Sequence, residues 1–187
     1  IAHGGPDEGE WSGPVPATHA PRGFYSVTLG LADPVLTAWV LEDVLGFVAA
    51  GEEDGRRRYR VPGAARAAVI DLVRDDTLPR PGSGTVHHVA FRARDDAEQA
   101  AWREAVEAAG LQVTEVKDRL YFRSIYFREP GGVLFEIATD GPGFLVDEDA
   151  AHLGEALKLP PWMEVRRDRI EQRLPPLHLP TSPAPNP

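Results

Sequence analysis

Apolar residues recur along this chain with two periods, and the same succession of periods occurs twice. Residues 86–93 alternate as a half-buried strand does, with His88, Ala90 and Arg92 on one face and His87, Val89 and Phe91 on the other. Residues 96–109 carry Ala97, Ala100, Ala101, Ala105 and Ala108 at helical spacing, with Trp102 among them, and Gly110 stands where a C-cap glycine belongs. Residues 111–116, 123–127 and 133–139 read as three strands, the last two joined by the turn Glu129-Pro130-Gly131-Gly132. The order is strand, helix, strand, strand, strand.

Residues 23–73 follow the same order. A strand over 24–31 leads to Asp33-Pro34, which opens a helix with Pro in its first turn and continues through Leu36, Val40, Leu41 and Val44. Strands over 47–50, 57–61 and 67–73 complete the copy. Setting Asp33 on Asp95 gives an offset of 62 residues and brings Trp39 within one residue of Trp102. A repeat of this length predicts an α+β domain over 23–140 made of two βαβββ units, 23–75 and 84–140. Each unit has an apolar sheet face that the other can cover. Residues 1–22, rich in Gly, Pro and acidic side chains, read as an irregular lead-in with Trp11 as a candidate anchor. Residues 141–177 read as a helical extension, with helices near 149–157 and over 163–174, and the Pro-rich stretch 178–187 as a disordered tail.

Composition narrows the function. At 187 residues and 42% hydrophobic content the chain can bury one sizeable core. A formal charge of −9 argues against nucleic acid as partner, because phosphate binding needs a basic face. There is no cysteine, hence no disulfide or thiolate ligand, which fits a cytoplasmic setting. No apolar run reaches membrane-spanning length. The first residue is Ile1 rather than Met, which reads as a processed product or a piece of a longer protein.

Two polar features interrupt the apolar pattern. Glu136 lies inside Val133-Leu134-Phe135-Glu136-Ile137-Ala138, a core strand by composition, and a buried carboxylate needs a compensating partner. That partner is either a metal ion or a guanidinium from Arg92, Arg119 or Arg123. The His87-His88 pair heads the first strand of the same unit, and alternation lets only one of the two face the Glu136 side of the sheet. The plainer reading of such a pair is a surface His beside a hydrogen-bonded core His.

Two copies of strand–helix–three strands, with His at the first strand and Glu on the last, resemble the vicinal-oxygen-chelate superfamily of glyoxalases, extradiol dioxygenases and antibiotic-resistance proteins. A longer run, DRLYFRSIYFREPGGVLFEIATDGPGF followed by LPPWME and RIEQRLPPL, resembles the C-terminal half of ring-cleaving dioxygenases that act on hydroquinones. The resemblance implies an Fe(II) site of two His and one carboxylate, with Mn(II) as an alternative metal. Here His88, with His87 as the fallback, and Glu136 match two of the three ligands, and the other His belongs to an N-terminal half that this sequence lacks. Tyr126 and Arg119 match positions of second-layer catalytic groups, and Trp162 a residue that plugs an apolar seat. In the first copy Ser26 stands at the position of His88 and Asp71 near that of Glu136, so that copy reads as scaffold. The implied function is the C-terminal domain of an Fe(II)-dependent ring-cleaving dioxygenase, incomplete alone, with a small aromatic, O₂ and an N-terminal half as partners and a homo-oligomer open. The alternatives are a non-catalytic small-aromatic binding or resistance module, and a metal-dependent glyoxalase or epimerase.

Overall fold

Two four-stranded sheets carry the alternation read from the sequence. The computed structural model describes residues 15–16, 18–19, 24–64, 69–77, 82 and 84–176. In the first unit β1 (Ser26–Leu31), α1 (Val35–Trp39), a π-helical turn (Val40–Val44), β2 (Val48–Glu53), β3 (Arg56–Arg60) and β4 (Val69–Arg74) follow one another. The second unit runs β5 (Val89–Ala93), α2 (Asp96–Ala108), β6 (Lys117–Asp118), β7 (Arg123–Arg128) and β8 (Leu134–Thr139). The strand orders are β1-β4-β3-β2 and β5-β8-β7-β6, each with one parallel pair, β1 with β4 and β5 with β8. The fold is α+β, built from two βαβββ repeats.

Local chemistry sets the helix ends. The Asp95 carboxylate accepts from the Glu98 N–H at 2.8 Å, and the Glu98 carboxylate accepts from the Arg94 N–H at 2.6 Å, a reciprocal cap. At the other end Gly110, at φ +79°, lets its own N–H reach the Glu107 carbonyl and that of Leu111 reach the Val106 carbonyl. These two bonds close the helix in a Schellman motif. The buried face of α2, however, is Gln99, Trp102, Val106 and Ala109, while Ala97, Ala100, Ala101 and Ala108 face outward. Alanines gain little from burial, so Val106 and Trp102 decide the orientation. Gln99 is admitted to the interior because its amide donates to the Arg123 and Ile137 carbonyls, both at 2.8 Å.

Four further expectations are corrected. The strand over 111–116 is reduced to one bridge, Val113 to Phe127, followed by the two-residue β6. The Thr114 hydroxyl accepts the Tyr126 N–H, and the Thr114 carbonyl accepts from Arg103, so the backbone ladder is interrupted there. The expected helix near 149–157 is a series of turns, and that over 163–174 is a 3-10 run, Pro161–Arg166, leading into the five-residue α3 (Arg167–Glu171). Trp162 is 68% exposed and fills no seat. Trp11 and nearly all of the lead-in and tail lie outside the described residues.

Residues after Gly143 belong to a second compact unit. Within the first, one core joins the two repeats. Phe47 meets Phe91 edge-on at 6.0 Å, Phe91 meets Phe135 at 5.0 Å, and Phe135 meets Phe127 at 5.6 Å. A polar contact reinforces this seam: Glu129, 1% exposed, accepts from the Thr37 hydroxyl at 2.6 Å and from the Gly131 and Val133 N–H groups at 2.8 and 2.7 Å. A Cβ on Gly131 would collide with Thr37 and Leu31, so glycine is what lets the β7–β8 turn lie against the first unit. Among the described residues no helix is long and apolar enough to cross a membrane.

Candidate functional site

The register of the second sheet assembles the site. Glu136 of β8 lies between Ala90 of β5 and Tyr126 of β7. His88, two residues before Ala90, and Ser124, two before Tyr126, therefore belong to the same sheet face as Glu136. The ladder of β5 begins only at Val89, one residue after His88, so the His pair stands at the mouth of the strand.

Glu136 is 3% exposed, and each of its oxygens is engaged. Oε1 accepts from the Tyr126 hydroxyl at 2.7 Å and from the Ser124 hydroxyl in a shorter contact. Oε2 lies 2.7 Å from His88 Nε2. His88 Nδ1 lies 2.9 Å from His87 Nδ1, with the two rings perpendicular. A neutral chain satisfies every atom if His87 Nδ1–H donates to His88 and His88 Nε2–H donates to Glu136, a tautomer assigned from the network. Arg119 Nε–H donates to the Tyr126 oxygen at 3.2 Å, and its guanidinium lies over the Tyr126 ring at 5.2 Å. A turn with Leu120 at φ +69° holds Arg119 there.

Of the three arginines that could have neutralised Glu136, none does. Arg92 pairs with Asp140, Arg123 with Asp96, and Arg119 reaches only Tyr126. The structure thus brings together His88, Glu136, Tyr126 and Arg119, with His87 behind His88. Ser124 was missed by sequence reasoning. A hydroxyl two residues from Tyr126 in an otherwise apolar strand was the available signal.

The first repeat shows what a filled equivalent looks like. Thr28, Asp71 and Arg58 hold the register positions of Ala90, Glu136 and Tyr126. Asp71, 1% exposed, accepts from Arg58 at 2.8 and 2.9 Å and from Arg56 at 3.3 Å. The Arg58 hydrogen bond, helped by Arg56, holds the Asp71 carboxyl below its ordinary range despite burial. A lowered carboxylate pKa adds stability that is complete above the ordinary carboxylate range and disappears as pH falls through the lowered value. Asp71→Asn should therefore be less stable than wild type at neutral pH, and the gap should close in acid, below the ordinary carboxylate range. Urea midpoints from neutral to acid pH check this, and a gap that stays constant with pH would count against it.

Glu136 has no such guanidinium partner among the described residues. Among the described residues no cluster of three or more His, Asp or Glu side chains is arranged to hold a metal. His88 Nε2 and Glu136 Oε2 lie 2.7 Å apart and are the donor types that divalent iron or manganese accepts. By donor type the pair matches one His and the carboxylate of a His/His/carboxylate set.

Two four-stranded sheets, with Glu136 and Tyr126 on the inner strands of one and His88 just before its edge strand β5, define a class of paired βαβββ proteins. The chain belongs to the Glyoxalase/Bleomycin resistance protein/Dioxygenase superfamily, whose family model matches residues 39–137. It is 44% identical over 178 residues to the Bacillus subtilis protein named "Putative ring-cleaving dioxygenase MhqO", covering 92% of this chain and 57% of that one. It is 36% identical over 167 residues to the chlorohydroquinone/hydroquinone 1,2-dioxygenase of Sphingobium indicum, covering 86% and 51%. A crystal structure titled as a "putative dioxygenase" from Bacillus subtilis superposes with a TM-score of 0.83 at 44% identity, over 90% of this chain and 55% of that one. The chain spans about half the length of these relatives. A lactoylglutathione lyase from Agrobacterium tumefaciens, at 21% identity and TM-score 0.51, shares the fold.

Proposed function

We propose that this chain is the C-terminal, metal-holding half of an Fe(II)-dependent ring-cleaving dioxygenase acting on hydroquinone or catechol-like aromatics. The observation that carries the reading is a buried carboxylate engaged by imidazole and hydroxyls instead of a guanidinium, where its counterpart in the first repeat is an ion pair. Relatives named as ring-cleaving and hydroquinone dioxygenases support the chemistry.

His88 and Glu136 would hold the metal, with a third position completed by a residue from a further module. Divalent iron, when bound, supplies a Lewis-acid and one-electron centre that keeps an aromatic diol and O₂ in one geometry. Ser124 and Tyr126 fix Glu136 by its Oε1, and Oε2, paired with His88 Nε2 in the metal-free chain, would be the ligand atom. Tyr126, between Glu136 and Arg119, can pass its hydroxyl hydrogen bond to a substrate oxygen when one docks. Arg119 places a permanent positive charge beside that oxygen and favours its anionic form. His87 orients the His88 ring through Nδ1.

The test is oxygen uptake. The full-length protein supplied with Fe(II) should consume oxygen when given a hydroquinone or catechol, and His88→Ala should reduce this by roughly a hundredfold or more. The 187-residue chain alone should show negligible uptake. Full-length protein that consumes no oxygen with any such ring, yet binds aromatics without His88 and Glu136, would be a binding module instead.

A further inference from the structure

The two faces of the segment around α3 differ in charge. On one, Arg167 donates to Glu164 at 2.7 Å, to Glu171 at 3.0 Å and to the Leu157 carbonyl at 3.2 Å. On the other, Arg166, Arg169 and Arg173 surround Met163 and Ile170 in an open groove of about 240 Å³. None of these three guanidiniums has a side-chain hydrogen bond or ion pair among the described residues. The same compact unit carries the complement. The 3-10 turn Phe144–Val146 leaves Leu145 60% and Val146 57% exposed, and Glu148 and Asp149 come within the next three residues. Their carboxylates accept from backbone N–H groups, Glu148 from Gly154 at 3.3 Å and Asp149 from Ala151 and His152 at 2.9 and 3.2 Å. Among the described residues no Lys or Arg side chain bonds to either.

Within one molecule neither patch covers the other, since Leu145 and Val146 are exposed and Met163 on the groove floor is itself 36% exposed. The turn that matches the groove in charge and polarity is therefore offered by a second copy. We propose that copies of this chain associate through these two patches, with Leu145 and Val146 of one on Met163 and Ile170 of the other. Glu148 and Asp149 then face Arg166, Arg169 and Arg173, an opposite-charge rim around an apolar contact. Apolar side chains that exclude water strengthen the charge-assisted bonds beside them. Each copy carries both halves of the contact, so two copies can form it twice. The net charge of −9 makes copies repel at long range. At about 0.15 M salt that repulsion is screened beyond roughly 8 Å, and the local complementarity decides. The contact makes no use of metal or substrate.

The experiment is sedimentation equilibrium of the 187-residue chain at about 0.15 M salt, over protein concentrations of about 1–500 μM. The apparent mass of wild type should rise with concentration above that of one chain. Arg166→Glu/Arg169→Glu/Arg173→Glu should weaken the association about tenfold or more. Glu148→Lys/Asp149→Lys should do the same, because each variant sets like charges against one another. An equimolar mixture of the two variants should associate again. In it the reversed groove meets the reversed turn, and the native groove meets the native turn. Circular dichroism melts report whether each variant is folded. If a charge-reversed variant fails to fold, Leu145→Ser/Val146→Ser decides the matter and should also weaken association about tenfold. Wild type that stays monomeric throughout overturns the proposal. So does association that persists undiminished in the folded variants, or a mixture that associates no better than either variant alone.

Discussion

Replacing Glu136 by Gln should leave the metal-free chain within about 1 kcal/mol of wild type, yet abolish any Fe(II)- or Mn(II)-dependent rise in its melting temperature. The first half follows from the hydrogen-bond chain. The substituted glutamine can turn its carbonyl to the Ser124 and Tyr126 hydroxyls and its amide to His88 Nε2. His88 then accepts at Nε2 and carries its proton at Nδ1, and the bond to His87 runs the other way. Every atom stays paired, so no buried group is left stranded. The second half follows from ligand chemistry, because an amide is a far poorer donor to a hard divalent cation than a carboxylate. At free metal ten times the dissociation constant, wild type should gain about 1.4 kcal/mol, or roughly 3–6 °C for a chain of this size. Melts of both proteins, with and without metal, decide the matter. A metal-dependent rise that survives in the variant removes Glu136 from the ligand set. A loss of several kcal/mol without metal would mean that the sheet itself depends on the anion.

The two positions that matter most for this reading were legible because they obey short-range rules. Strand alternation allowed only one of His87 and His88 on the Glu136 face, and the repeat set Ser26 against His88 and Asp71 near Glu136; the registers place Thr28 opposite Asp71 as they place Ala90 opposite Glu136. What was illegible depends on partners far away in sequence. Nothing near Gln99 announces that two strand carbonyls await it from Arg123 and Ile137. The alanine stripe of α2 pointed to the wrong face because periodicity registers polarity and ignores how much area each side chain can bury. The lost strand at 111–116 has the composition of a strand. It fails because Thr114 offers its hydroxyl in place of its carbonyl, and that competition is decided by Tyr126 and Arg103 across the fold. Glu129 was read as a turn residue, correct locally, but its carboxylate works on the first repeat.

That carboxylate carries the largest effect on stability expected from any single change. Glu129→Gln should destabilise the chain by about 3–5 kcal/mol, because hydrogen bonds to a charged acceptor contribute roughly 1.5–3 kcal/mol each and a stranded buried donor costs as much again. The geometry denies Gln an escape of the kind open at position 136. One oxygen of Glu129 accepts from both the Thr37 hydroxyl and the Gly131 N–H, and the other accepts from the Val133 N–H. The hydroxyl can rotate to accept, but neither backbone N–H can. An amide nitrogen placed on either side therefore faces a donor it cannot satisfy. Removing only the partner, as Thr37→Val, should cost less, about 1–2 kcal/mol, because the two N–H bonds persist and the charge stays held. The double variant should then cost less than the sum of the singles, since Thr37 has no acceptor left once Glu129 is gone. Urea or guanidinium midpoints for the four proteins give the coupling directly. Additive losses would show that the Thr37–Glu129 contact does not join the two repeats energetically. A Glu129→Gln penalty below about 1 kcal/mol would show that the turn tolerates the amide by opening to water, which places the seam's stability in the Phe47–Phe91–Phe135 stack instead.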